Sequence, residues 1–174
     1  MLVLRPADVE ETTVAWKMAM ENTATPTALI LSRQNIKNLP TTDYEQVRKG
    51  AYIVCEDPQP EVVLLASGSE VSTLVAGAEL LRQEGVKTRI VSVPSEGLFR
   101  KQAQTYQEEI LPKNLKRFGM TAGLPVTLEG LVGENGTTWG LDSFGFSAPY
   151  QVLDEKLGFN AENVCQQVKK LLNK

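Results

Sequence analysis

An α/β fold, a three-layer α/β/α domain around a mixed but mostly parallel sheet, is predicted by three features of the chain. Short apolar runs such as Val62-Val63-Leu64-Leu65-Ala66 show no polar alternation, as strands buried on both faces require. Between them lie stretches of about ten to fifteen residues with apolar side chains at helical spacing. Turn residues separate the two kinds of segment, which is the layout of parallel strands joined by helical crossovers. The 174 residues, 42% hydrophobic and 22% charged, suffice for one such domain with a smaller piece attached.

The smaller piece comes first. Asp8 stands three residues before Glu11, the pattern of a capping box, and Val9, Thr13, Trp16 and Met20 then mark one face of a helix over about 8–21. Pro26 ends it. Thr27-Ala28-Leu29-Ile30-Leu31-Ser32 reads as a strand buried on both faces, with Arg33-Gln34-Asn35 at its C-terminal end. One helix and one strand cannot cover each other, so this segment is expected to be the helix-strand remnant of another α/β domain whose remaining strands lie elsewhere. From Ile36 periodicity fades through Pro40, Thr41, Thr42 and Asp43, the signature of a linker, and Ala51-Tyr52-Ile53-Val54 follows as a short edge strand.

The second unit alternates regularly. Strand 62–66 leads through Ser67-Gly68-Ser69 into a helix marked by Val71, Leu74, Val75, Ala78 and Leu81 and closed by Gly85. A strand at 88–93, a helix around 96–110, a strand near 117–122, a helix near 125–133 and a strand at 137–141 come next, with Asn135-Gly136 as a turn. The last helix starts at about Asn160, with Val164, Val168, Leu171 and Leu172 on one side, Glu162 in its first turn and Lys169 and Lys170 in its last.

Composition excludes several function classes. There is no histidine, so a Ser-His-Asp triad, a Cys-His pair, a His-ligated zinc and an imidazole proton shuttle cannot be built from this chain. The net charge of −3 offers no basic excess for a phosphate backbone, which argues against nucleic acid as a partner. No uncharged apolar run approaches the roughly 20 residues that span a bilayer, so no membrane role is expected. Two cysteines, Cys55 and Cys165, are too few for a disulfide framework and too distant for a close-spaced metal motif; with no secretory signal at Met1, they point to a cytoplasmic protein.

Few residues remain for chemistry. Arg33 lies where parallel sheets present ligand contacts, and its planar fork suits a phosphate or carboxylate; a solvated or interdomain salt bridge is the alternative. Ser32 and Asn35 are supporting donors. Ser67-Gly68-Ser69 could hold an anion at a helix N-terminus, although Ser69 as an ordinary N-cap is the preferred reading. Asp142-Ser143-Phe144-Gly145-Phe146-Ser147-Ala148-Pro149 could line a pocket or interface, but a turn with its phenylalanines in the core and a helix starting after it is preferred. The adjacent acids Glu10-Glu11 and Glu108-Glu109 diverge on their helices and read as solvated faces. Cys55 and Cys165 read as small buried hydrophobes.

Taken together, Leu4-Arg5-Pro6-Ala7-Asp8, Ala28-Leu29-Ile30-Leu31-Ser32-Arg33-Gln34-Asn35, Ala66-Ser67-Gly68-Ser69-Glu70-Val71, Arg89-Ile90-Val91-Ser92-Val93-Pro94 and the 142–149 segment resemble, in order and spacing, the C-terminal part of transketolase. The resemblance runs nearly end to end. It departs at Phe118-Gly119-Met120-Thr121-Ala122-Gly123, where many relatives carry a different string, and no role is transferred there.

The resemblance implies a homodimeric, cytoplasmic transferase of the pentose phosphate pathway, dependent on thiamine diphosphate and magnesium, that moves a two-carbon ketol unit between sugar phosphates. It implies residues 1–35 as the end of a pyrimidine-binding domain, 36–55 as a linker and 56–174 as the C-terminal domain. Arg33 would contact the sugar phosphate. Catalytic, cofactor and metal ligands would all lie in upstream domains, so this portion alone is expected to be inactive. A non-catalytic binding or dimerisation module, or the C-terminal subunit of a split transketolase, are the competing readings.

Overall fold

Continuous apolar strands need cover on both faces, and the chain supplies it with helices from two directions. The computed structural model describes all 174 residues. A small N-terminal unit contains strand β1 (Leu2–Leu4), helix α1 (Val9–Glu21) and strand β2 (Thr27–Leu29), with β1 and β2 paired in parallel. Helix α2 (Tyr44–Val47) leads to the larger sheet, whose strands are β3 (Tyr52–Glu56), β4 (Val62–Ala66), β5 (Thr88–Ser92), β6 (Lys116–Met120) and β7 (Thr137–Trp139). Their order is β3-β5-β4-β6-β7, with β3 the antiparallel edge and every other pair parallel. The crossovers are α3 (Glu70–Gln83) after β4, α4 (Glu96–Phe99) and α5 (Gln104–Ile110) after β5, and α6 (Val126–Val132) after β6. Helices α7 (Tyr150–Leu157) and α8 (Ala161–Leu172) close the chain.

Central β4 is buried at every position, and its side chains divide the core in two because successive residues point to opposite faces. Val62, Leu64 and Ala66 pack with Val14 and Met18 of α1, Leu74 and Leu81 of α3, and Val164 and Val168 of α8. Val63 and Leu65 pack with Phe99, Ile110 and Leu131 from α4, α5 and α6. These are the three predicted layers. In α3, Gly77 lets α8 approach, since a β-carbon there would fall 2.5 Å from Val164 Cγ1.

The N-terminal unit departs from expectation in three ways. No strand was read at residues 2–4, yet β1 gives the 27–29 strand its partner. That strand is half-buried and Ile30 and Leu31 are exposed, because a two-stranded sheet has no second layer over it. Helix α1 buries Glu11, Val14, Ala15 and Met18, while Val9, Trp16 and Met20 of the expected core face lie in solvent. The opposite choice of face follows from the packing of α1 on the larger sheet.

Elsewhere the corrections are local. The 36–55 span contributes α2 and most of β3, and the edge strand runs on to Glu56. The helix expected around 96–110 is two short helices, interrupted so that Phe99 and Ile110 both reach the core. A helix does begin after Pro149, but Phe144 is 98% exposed and Phe146 is also exposed, so neither joins the core.

Candidate functional site

Arg33 lies four residues beyond β2 and is exposed. Its guanidinium makes no hydrogen bond or ion pair within the chain, which removes the salt-bridge reading as far as this chain's own carboxylates are concerned. Its neighbours behave differently. Ser32, Gln34 and Asn35 line a cavity of about 840 Å³ together with Ser69 and Glu70 at the start of α3 and with Gly145 and Phe146. Three of the segments singled out in the sequence therefore meet at one cavity, while Arg33 is not among its lining residues. Phe146 is covered on one side by Lys156, whose Nζ stands 3.9 Å from the ring centroid. Asp154 also lines the cavity, and burial, reinforced by the Glu70 carboxylate, pushes its carboxyl above the usual range.

The turn after β4 does not receive an anion. Gly68 adopts φ +64, and the Arg5 guanidinium donates to the Ser67 carbonyl, to Ser67 Oγ at 3.1 Å and to Glu70 Oε2. Ser69 makes no capping bond; its hydroxyl donates to Glu70 Oε1 at 3.0 Å. The cation in the turn and the nearly buried Glu70 carboxylate together tie the N-terminal unit to α3.

The second tie is one that the sequence reading placed in solvent. Glu11 is fully buried, and its carboxylate accepts from Ala7 N at 2.7 Å, Tyr52 Oη at 2.8 Å and Ser92 Oγ at 2.6 Å. Burial, though opposed by these hydrogen bonds, pushes its carboxyl above the usual range. Asp8 caps α1 by accepting from Glu11 N at 2.8 Å, and its other oxygen accepts from Leu39 N at 2.9 Å, so the span after Arg33 is pinned to the same helix start. The sequence carries this face only as a second, competing pattern, with Glu11, Val14, Ala15 and Met18 at i, i+3, i+4 and i+7.

Residues 50–160 match the transketolase-like TK C-terminal domain. The chain belongs to the transketolase family. A transketolase from Staphylococcus epidermidis is 45% identical over 98% of this chain, which covers 27% of that protein. Among solved structures, the transketolase from Leishmania mexicana is 38% identical with a TM-score of 0.91, over 97% of this chain and 25% of that one. The Pichia stipitis transketolase in complex with sedoheptulose-7-phosphate is 30% identical with a TM-score of 0.93, over 99% and 25%. The chain thus spans about a quarter of the length of these transketolases.

Transketolases use thiamine diphosphate and magnesium, and the donor set in this C-terminal region does not fit them. No three carboxylates or thiols converge on a point where a divalent ion could be held. The one turn suited to a diphosphate carries the Arg5 guanidinium and is followed by the Glu70 carboxylate, which would repel the anion. Cys55 and Cys165 are free, and burial pushes both thiols up, which makes them poor ligands and nucleophiles.

Proposed function

We propose that this chain is the C-terminal portion of a transketolase and that Arg33 anchors the phosphate of a sugar-phosphate substrate. The single observation that carries the reading is the exposed guanidinium of Arg33, left without a partner in its own chain four residues beyond the C-terminal end of the parallel strand β2. An arginine so placed binds a phosphate through two charge-assisted hydrogen bonds and holds the end of the substrate remote from the reacting carbonyl. The Pichia stipitis relative, in complex with sedoheptulose-7-phosphate, supports that substrate class. The reaction is reversible ketol transfer from a ketose phosphate to an aldose phosphate in a cytoplasmic homodimer. Thiamine diphosphate, held with magnesium by other domains, supplies the carbanion stabilisation. Residues 1–35 complete the pyrimidine-binding domain, 36–55 link it, and 56–174 form the C-terminal domain.

Arg33→Ala in the full-length enzyme is expected to raise KM for phosphorylated substrates roughly 10- to 100-fold while kcat changes little. A KM unchanged by the substitution overturns the assignment. The isolated 174-residue chain, given saturating thiamine diphosphate and magnesium, is expected to show no ketol transfer; turnover would locate catalytic groups within these residues.

A further inference from the structure

A second arginine is placed for an anion, on the opposite layer of the sheet from the N-terminal unit. Arg117, in β6, is half-buried, and its guanidinium donates from Nη1 to the Leu131 carbonyl and from Nη2 to the Leu111 carbonyl, each at 2.7 Å. Those carbonyls end α6 and follow α5, so the contacts cap two helices and lock the side chain. Two of the five N–H donors of a guanidinium are thereby used, and no carboxylate pairs with the charge. Burial pushes the guanidinium below its ordinary value.

Arg117 lines a cavity of about 330 Å³ with Arg100, Lys113 and Glu108, and Arg100 is paired with Glu96, its Nε and Nη2 both 2.7 Å from Glu96 Oε1. The Glu108 carboxylate is already engaged, accepting from Gln104 Nε2 at 2.8 Å and pairing with Lys113 at 2.7 Å. In a chain of net charge −3, the cavity holds one guanidinium, that of Arg117, with no carboxylate partner, beside two paired cations on exposed side chains. Gly130 shows that the backbone is adapted to this arrangement. It lies inside α6, where glycine weakens a helix, and a β-carbon there would fall 2.5 Å from Arg100 Nη2. The missing side chain is what lets Arg100 lie across α6 at the cavity.

We propose that the cavity formed by Arg100, Lys113 and Arg117 is a binding site for a phosphate-sized dianion, either free phosphate or the phosphoryl group of a small metabolite. The locked guanidinium supplies preorganised donors, and Arg100 and Lys113 join by exchanging their exposed pairs with Glu96 and Glu108 for the dianion. The site is separate from Arg33.

The test is calorimetric titration of the 174-residue chain with inorganic phosphate and with glycerol 3-phosphate at constant ionic strength. Saturable binding with Kd on the order of 1 mM is expected for at least one probe. Tighter binding of the ester identifies a phosphorylated metabolite, and equal binding identifies free phosphate. Arg117 is left intact because it caps two helices. Arg100→Gln with Lys113→Gln is expected to weaken binding at least roughly tenfold. Gly130→Ala is expected to displace Arg100 and weaken binding several-fold with no fall in Tm, since alanine favours the helix. All titrations are run in an Arg33→Ala background, which removes the phosphate anchor proposed above, so that the saturable heat reports this cavity. Absence of saturable heat with both probes, or affinity indifferent to both the Gln pair and Gly130→Ala, overturns the proposal.

Discussion

Glu11→Ala is expected to cost the folded chain about 3 kcal/mol, a large share of the 5–15 kcal/mol typical of a domain. The carboxylate is the common acceptor for Ala7 N, Tyr52 Oη and Ser92 Oγ, and alanine leaves these donors facing a void. Glu11→Gln keeps the volume. Its amide oxygen can accept from Ala7 N, while its NH2 donates to hydroxyl oxygens of Tyr52 and Ser92 that are free to rotate. The glutamine variant is therefore expected to lie within about 1 kcal/mol of the parent at neutral pH. Urea denaturation of the three proteins measures this, and an alanine variant as stable as the parent would show that the buried carboxylate contributes nothing.

The same pair of proteins isolates the titration of Glu11. Its folded value is raised above the ordinary 4.5, so the folded state holds the proton more tightly than the unfolded one. The associated stability is fully present below about 4.5 and is lost as pH rises through the folded value. Relative to Glu11→Gln, the parent is expected to be most stable in acid and to lose ground as pH rises. Glu61 and Glu84, held down by hydrogen bonds from Lys174 and Lys169, act with the opposite sign and lose their contribution as pH falls. Both proteins share these groups, so they cancel in the difference. A parent-minus-variant difference that is flat with pH, or that grows in favour of the parent, would exclude a raised Glu11.

Gly50→Ala is expected to be comparably severe, lowering Tm by about 10 °C through a loss of about 3 kcal/mol. Gly50 has φ +93, and an added β-carbon would stand 2.3 Å from Ser95 O and 2.5 Å from Phe99 N. These are main-chain atoms of the turn entering α4 and of α4 itself, so they cannot swing aside. The approach is fixed further by Ser95 N donating to Gly50 O at 3.1 Å. Gly85→Ala provides the comparison. It has φ +78 but nothing within 4 Å of the added carbon, so only left-handed strain of about 1 kcal/mol applies. Thermal denaturation of the two variants separates clash from strain, and equal losses would show that the Gly50 crossing yields.

The regular βα alternation was legible because it is local. Strand β4 is a compact apolar run, and each end of α8 carries its own signal, with Asn160 Oδ1 accepting from Asn163 N at the start. Asp8 was found for the same reason, since its bond to Glu11 spans three residues. The identity of the turn ligand was not local. Ser67-Gly68-Ser69 has the composition of an anion-binding turn, and only the return of Arg5 from 62 residues away makes it a cation site.

By itself, then, the sequence determined the α/β class, the strand and helix succession of the larger unit, the exclusion of histidine chemistry and, through segments such as 28–35 and 142–149, the transketolase resemblance. Tertiary structure alone decided which face of α1 is buried. That helix carries two competing faces of similar polarity, and the one containing a glutamate became the inner face because Tyr52 and Ser92, 41 and 81 residues further on, present hydroxyls to it. A buried carboxylate is affordable only where donors converge, and donors from separate strands converge only once the sheet has formed.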